Sequence, residues 1–475
     1  MRIKGLDKNI EDFIYVLAGN SLNLFAGIFS GLLIPKFLDI SQYGYYRIFT
    51  LYTLYLGVMH FGFNDGIYVR YGSFDYENLP KERFRAYSRF LFIFQIILSV
   101  IVALFCVGFV KDGVRLTIGM FISVNIIISN FIIFFSMISQ ITRRFNVYSF
   151  NTVVTKLAFI IFTVILLVMN SNNFMFYILS QTLVNAISMA IFMVHAKDLV
   201  FGKSERIIDN IKDILYNFKT GFLVMIGNLM GLLIINFGQF IAERFLNIND
   251  FALYAFSISL ITIVINTLLN ALSTVVFPFL SRNIGGDKKR LYERMETFVF
   301  IVLSASLAGY FVLKFIILSF LPAYAGSLDI GLIIFPVVLF YGLISIVASN
   351  FYKVLRMQMG YTINNVIAFV FVAVTTVVAY YLFRTTVAIA AAALISFYLW
   401  LLYSDCYFKL KLSAGFIKVH IAQIIVVGAF FLCGFMLNWY MGLILYIFML
   451  AIILVAFYRK DLIQISREKL NYLKA

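Results

Sequence analysis

Apolar runs of about 20 residues recur along this chain from end to end, a length that matches the hydrocarbon core of a bilayer. They fall at about 14–35, 44–63, 87–110, 116–140, 149–169, 174–195, 218–241, 252–276, 298–321, 329–351, 363–383, 387–404, 421–437 and 442–458. The runs are continuous rather than alternating, so they read as helices and not as the strands of a barrel. Composition removes the soluble alternative. The chain is 63% hydrophobic and 13% charged, against about 45–50% apolar and about 25% charged in soluble domains. The expected fold is an all-α polytopic membrane protein with about 14 transmembrane helices.

Orientation follows from the basic residues. With the N-terminus inside, thirty lysines and arginines fall on inner segments and six on outer ones. That asymmetry places both termini in the cytoplasm. The net charge of +16 is thereby explained by topology and by anionic headgroups, and nucleic acid is not an expected partner. The basic start "MRIKGLDKNIEDF" precedes an apolar run too long for a signal-peptide core, so it reads as a retained first helix.

Several chemistries are excluded. The three cysteines (Cys106, Cys406, Cys433) show no pairing or metal-ligand spacing, and His60, His195 and His420 are scattered over distant spans. Neither a metal nor a cofactor is expected. "FGKSER" carries Gly-Lys-Ser, but a phosphate-binding loop needs glycine where Lys197 stands. Outer loops such as "KDGVR", "NSNN" and "NWYM" are short, and the longest loops lie around 64–86 and 196–217 on the cytoplasmic side. An enzyme of the glycosyltransferase, polymerase or ligase kind would want a large external loop.

The chain repeats itself. "PKFLDISQYGYY" (Pro35 to Tyr46) aligns without a gap with "ERFLNINDFALY" (Glu243 to Tyr254), 208 residues later. Carried back to residue 19, the alignment gives eight identities in 28 positions. The offset spans six expected helices, so the copies enter from the same side, like duplicated halves related by an axis along the membrane normal. The expected organisation is an N-lobe at 1–210 with helices 1–6, a C-lobe at 211–410 with helices 7–12, and helices 13–14 with a cytoplasmic tail at 411–475. Such halves can expose a shared cavity alternately to each side, which argues for a transporter.

Five stretches in order carry a resemblance: "PKFLDISQYGYY", "FGFNDGIYVRYG" (Phe61 to Gly72), "ERFLNINDFALYAF" (Glu243 to Phe256), "VVFPFLSRNIGGDKKR" (Val275 to Arg290) and "LPAYAGSLDIGLII" (Leu321 to Ile334). The chain resembles the bacterial polysaccharide exporters, including the O-antigen and capsule repeat-unit flippases of the multidrug/oligosaccharidyl-lipid/polysaccharide superfamily. The resemblance implies a multi-pass protein of the bacterial cytoplasmic membrane. Its expected partners are membrane lipids and an undecaprenyl-diphosphate-linked oligosaccharide, carried to the outer leaflet for O-antigen, capsule or exopolysaccharide. It leaves the energy source open between an H+ or Na+ gradient and removal of product outside, and it allows contact with polysaccharide polymerase machinery. The alternative on the same architecture is a multidrug cation antiporter.

A diphosphate calls for cations and donors, and sugars call for amides and hydroxyls. Ionisable residues inside spans are candidates because they cost about 2.5–3.5 kcal/mol on insertion scales. Lys156 and Lys314 sit well inside their spans, able either to line a cavity or to snorkel. Arg47 lies one turn into the second span, and its counterpart in the repeat is Ala255. Asn20, Asn23, Gly27 and Ser30 share one face of the first span. Asn228, Asn236 and Gln239 offer a similar, less clean face on the seventh. Lys36 and Arg244 occupy equivalent corners of the two copies, as helix-end or gate residues. Asp65 and Glu243 lie at helix ends with Arg70 and Arg244 as expected partners, and no acid is expected deep in either lobe. Buried cations without buried acids would favour an anionic substrate.

Overall fold

The computed structural model describes residues 25–72, 74–283, 286–413, 415 and 417–472, and among the described residues it holds helices and turns but no strand. Twelve helices among them are long and apolar enough to cross a bilayer. The expected class is what the structure shows. Each expected span from 87–110 onward overlaps a helix or a broken helix, generally longer than the apolar run: 218–241 lies within Ile211–Phe245. Packing divides the chain into two compact units, Met1–Asn236 and Phe237–Ala475.

The first unit holds α1 (Phe25–Phe37), then α2 (Ile40–Thr53), α3 (Phe63–Tyr71), α4 (Lys81–Phe109), α5 (Gly113–Ile141), α6 (Phe145–Val168) and α7 (Phe174–His195), and α8 (Ile211–Phe245) begins in it. The central post is α5, against which α2, α3, α4, α6 and α7 all pack. Its inner face carries Ile126, Phe134 and Ile138 together with buried Ser123, Asn125, Asn130 and Ser139. Such small and polar side chains hold helices together in lipid, where apolar surface alone gives little drive to associate.

The second expected span, 44–63, is not one helix. It stops at Thr53, makes a single 3-10 turn at Leu56–His60 and resumes as α3. Phe61 and Gly62 have φ of 51° and 86°, a conformation that ends a helix and suits glycine. A break of this kind frees backbone carbonyls, which are tolerated at membrane depth only if protein satisfies them. Two neighbouring helices do so. Asn130 Nδ2 on α5 donates to Leu56 O at 3.0 Å, and Gln95 Nε2 on α4 donates to Met59 O at 3.1 Å. A third bond, Asn130 Nδ2 to Gln95 Oε1 at 2.9 Å, ties the two amides together.

Close backbone approach fixes where α3 and α8 cross. A Cβ on Gly66 would stand 1.9 Å from Asn217 O, and one on Gly221 would stand 1.9 Å from Gly62 O. Only glycine permits this contact, and Gly62 and Gly66 have the four-residue spacing of close helix crossings.

Of the two segments expected as long loops, 64–86 is largely helical, holding most of α3 and the start of α4, and the two segments are joined. Lys81 Nζ lies 2.6 Å from Asp198 Oδ2, and Tyr76 donates to Asp198 Oδ1 at 2.5 Å. Burial would raise the Asp198 carboxyl, but the bonds from Lys81 and Tyr76 outweigh it and hold the group below its ordinary value. Arg85 reaches Asp198 O and Lys203 O, while Arg89 reaches Gly202 O. On the opposite corner, Asp39 N donates to Asn172 Oδ1 at 2.9 Å and Phe174 N to Gln42 Oε1 at 3.1 Å. The repeated corner motif is thus pinned to the "NSNN" loop, both being expected outside.

The second unit holds α9 (Ile248–Asn283), α10 (Lys288–Ser306), α11 (Gly309–Phe320), α12 (Ser327–Ile334), α13 (Val337–Leu343), α14 (Ser349–Val354), α15 (Gln358–Phe383), α16 (Thr386–Leu412), α17 (Ile417–Met436) and α18 (Trp439–Tyr472). Its post is the segment Ser327–Val354, the most enclosed of the candidate spans described. This segment packs on α9, α10 and α16. It is interrupted, with Pro336 between α12 and α13 and a π turn at Ile344–Ala348 before α14. The expected 298–321 helix is likewise split, at Leu307 and Ala308, between α10 and α11. Continuous hydropathy does not reveal these breaks, because the interrupted segments stay apolar throughout. The post is the tenth expected span and α5 the fourth, so the repeat offset links the central helices of the two units.

Candidate functional site

Two adjoining cavities lie within the first unit. The larger, about 750 Å3, is lined by Leu54, Gly57, Val58 and His60 of the broken segment and by Asp65 and Tyr68 of α3. Ser129, Ser136 and Gln140 come from α5, Asn185 from α7, and Asn228 with Leu232 from α8. The smaller, about 280 Å3, is lined by Gly27 and Ser30 of α1, Thr155 and Lys156 of α6, and Gln181, Asn185 and Ser188 of α7. Ile132 and Asn185 line both.

The α7 contribution has a simple sequence origin. Gln181, Asn185 and Ser188 are spaced by four and three residues, which puts them on one helix face. Gln181 Nε2 donates to Asn185 Oδ1 at 3.2 Å, and Asn185 Nδ2 donates to Asn125 Oδ1 at 3.1 Å. Asn125 in turn donates to Thr182 Oγ1 at 2.9 Å. Asn151 and Ser188 bond each other twice, at 2.7 and 2.8 Å. A chain of held amides is a pre-oriented surface for hydroxyl-rich ligands, since each group already points in a fixed direction. Lys156 adds a cation to the same wall, next to these amides and Ser30.

At the other wall, His60 Nε2 lies 3.7 Å from Asp65 Oδ2, both side chains being almost fully enclosed. His60 Nδ1 accepts from Gly62 N at 3.0 Å. That bond fixes the tautomer, because an accepting Nδ1 leaves the proton on Nε2, facing Asp65.

The expected site residues scatter over several environments. Lys156 and Asn228 line cavities, as do Gly27 and Ser30 of the first-span stripe. Asn20 and Asn23 lie outside the described residues. Asn236 is buried, donates to Leu232 O at 2.9 Å and bonds Tyr55. Gln239 is fully buried in the second unit. Arg47 is half-buried beside Tyr46 and borders neither cavity described. Lys314 donates to Gly434 O and Leu437 O, both at 3.0 Å. It therefore satisfies carbonyls at the end of α17, a role to which a cation is suited. Lys36 and Arg244 are exposed at helix ends.

Two expectations are corrected. Arg70 does not pair with Asp65: it bonds Asp213 Oδ1 at 3.0 Å and lies over Tyr216, while Asp65 faces His60. Both residues stand on α3, where an offset of five residues turns them about 140° apart around the helix. Nor is the interior free of acids, since Asp65, Glu243, Glu296 and Asp405 are all buried. The apolar runs do not reveal the last two, because α10 and α16 extend beyond them and carry these acids into packed surroundings. His60 and the α7 amides were also missed as site residues; the amides show a readable spacing, whereas the His60–Asp65 approach depends on the break.

Helices of membrane-spanning length, an interrupted segment and cavities with amides, hydroxyls and a lysine in their walls describe a multi-pass membrane protein. Residues 10–284 match the family model described as polysaccharide biosynthesis protein, and the chain belongs to that family. No curated protein matches it in sequence. Among solved structures, it is similar to one described as lipid II flippase MurJ in an inward closed conformation. That match has TM-score 0.71 and 15% identity, covering 96% of this chain and 100% of the other. It is also similar to an inward-facing multidrug resistance MATE family transporter of the MOP superfamily. There the TM-score is 0.61 and the identity 13%, covering 82% of this chain and 95% of the other. At these identities the likeness is one of fold.

Proposed function

We infer that this protein is a flippase that moves an undecaprenyl-diphosphate-linked oligosaccharide repeat unit from the inner to the outer leaflet of a bacterial cytoplasmic membrane. The observation that carries the reading is the adjoining pair of cavities in the first unit, with Lys156 and the Gln181–Asn185–Asn125 amide chain in their walls. A lysine beside fixed amides suits an anionic, hydroxyl-rich ligand, because the cation meets phosphate while the amides meet sugar. Family membership supports the polysaccharide setting.

Transport proceeds by alternating access, without covalent chemistry. Residues 1–210 and 211–410 act as duplicated lobes, 411–475 adds two helices and a tail, and both termini face the cytoplasm. Deleting the gene in its host tests the reading. The expected result is accumulation of lipid-linked repeat units on the inner leaflet and loss of surface polysaccharide, restored by the wild-type gene. Unchanged export without accumulation would refute it.

One observation favours a second reading, a multidrug cation antiporter. Asp65 lines the larger cavity, and a buried carboxylate suits a cationic substrate. Overexpression should then lower susceptibility to cationic dyes, and Asp65→Asn should abolish that protection. The flippase reading expects no protection from either protein.

A further inference from the structure

The second unit contains a buried titratable cluster that plays no part in the cavities above. Glu296 on α10 and Asp405 on α16 are each 2% exposed and stand within hydrogen-bonding reach of one another. Asp405 is approached from two further sides. Tyr292 donates to its Oδ1 at 2.6 Å, and His420 Nε2 on α17 lies 3.1 Å from its Oδ2. As two carboxylates, Glu296 and Asp405 could only accept. With no proton between them, both Glu296 oxygens are left without a donor. Two enclosed, adjacent negative charges are strongly unfavourable, and a shared proton removes both defects at once.

Glu296 is also the member that reaches open space. It lines a cavity of about 510 Å3 together with Arg290, Glu293, Arg294 and Thr297 of α10. Lys409 of α16, Lys418 of α17 and Tyr458 of α18 complete the charged and titratable lining. Behind Glu296, the groups facing Asp405 are Tyr352 of α14, Tyr398 of α16 and His420, whose ring meets that of Tyr398 at 5.7 Å. Arg290, Arg294, Lys409 and Lys418 share the cavity wall with Glu296, where they attract water and ions, while Asp405 does not line it. Gln423, one turn past His420, is fully buried with neither amide atom bonded. Among the described residues no group of three His, Cys, Asp or Glu side chains is placed to hold a metal ion.

We propose that Glu296 and Asp405 form a proton-exchange site in the second unit, in which one proton is shared between the two carboxyls and exchanges with water through the cavity that Glu296 lines. On release, the Glu296 O–H bond breaks and its proton passes to cavity water. The negative charge left behind is shared with Asp405, which the Tyr292 hydroxyl and the nearby His420 ring hold in place. On uptake the steps reverse. The ligand is a proton, and the site stands apart from the substrate cavities, whatever they carry.

Infrared spectroscopy of the purified full-length protein in lipid nanodiscs tests this. At neutral pH ordinary carboxyls, with pKa of about 4, have ionised. The expected result is a remaining band of protonated carboxyl that shifts on transfer into D2O and disappears in Glu296→Gln. Glutamine can donate to Asp405, so the variant should keep its helical content. If it does not fold, Asp405→Asn replaces it and should alter the same band. Absence of the band in the wild type, a band that does not shift in D2O, or a band unchanged in the folded variant would each overturn the proposal.

Discussion

Lys156 and Arg47 are both cations in or beside apolar runs, yet they occupy different surroundings. Lys156 lines the smaller cavity among amides and hydroxyls, whereas Arg47 lines neither cavity described, although Tyr46 beside it lines the smaller one. Its repeat counterpart, Ala255, is fully buried, so the second unit has no charge at the equivalent position. A hydrogen bond to a charged group contributes about 1.5–3 kcal/mol. Lys156→Ala should therefore lower export of surface polysaccharide roughly tenfold or more, with unchanged membrane abundance. Lys156→Arg should keep most of it. Asn185→Leu should also impair export, because Asn185 borders both cavities and joins Gln181 to Asn125. Wild-type export by Lys156→Ala and Asn185→Leu would remove the cavity from the account. Arg47→Ala is expected to impair export less than Lys156→Ala, read in the same strains.

At the scale of elements, the broken second span is the feature on which the first unit depends. Asn130→Leu would leave Leu56 O without its donor in an enclosed place, a defect costing about 1–3 kcal/mol. Gly221→Ala would drive a methyl group into Gly62 O, and overpacking of this kind costs about 1–3 kcal/mol or more. Both variants should lower the thermal transition of the purified protein. Gly108→Ala, where nothing stands within reach of a Cβ, should leave it unchanged. Equal melting of all three would contradict the packing described. The helices were legible because a bilayer demands long apolar runs, and from the third expected span onward each run overlaps helical structure. The breaks at 54–62, 307–308 and 335–336 were not legible, because hydropathy does not record which carbonyls Asn130 and Gln95 satisfy. The Gly27–Ser30 face was readable from spacing alone. The His60–Asp65 pair depends on the break in the second span and the Glu296–Asp405 pair on contact between distant helices, which no local pattern encodes.

For the whole molecule, the distribution of basic residues makes a topological prediction. With Cys106, Cys406 and Cys433 replaced, Asp112→Cys should react with an impermeant thiol reagent from outside, and Lys203→Cys only after permeabilisation. The reverse pattern would invert the orientation. The loop clamp around Asp198 and the corner bonds of Asp39 would then exchange sides as well, since each is built from segments on a common face. Family membership gives a polysaccharide setting, the fold is similar to that of a solved flippase, and the cavities offer a place for a ligand with phosphate and sugar. The most direct measurement reconstitutes the purified protein into liposomes that carry an undecaprenyl-diphosphate-linked oligosaccharide in the inner leaflet alone, and follows its appearance outside. The account predicts transfer that depends on the protein and falls roughly tenfold in Lys156→Ala. Transfer no faster than in empty liposomes, with a folded protein and its host's own lipid-linked oligosaccharide, would contradict it.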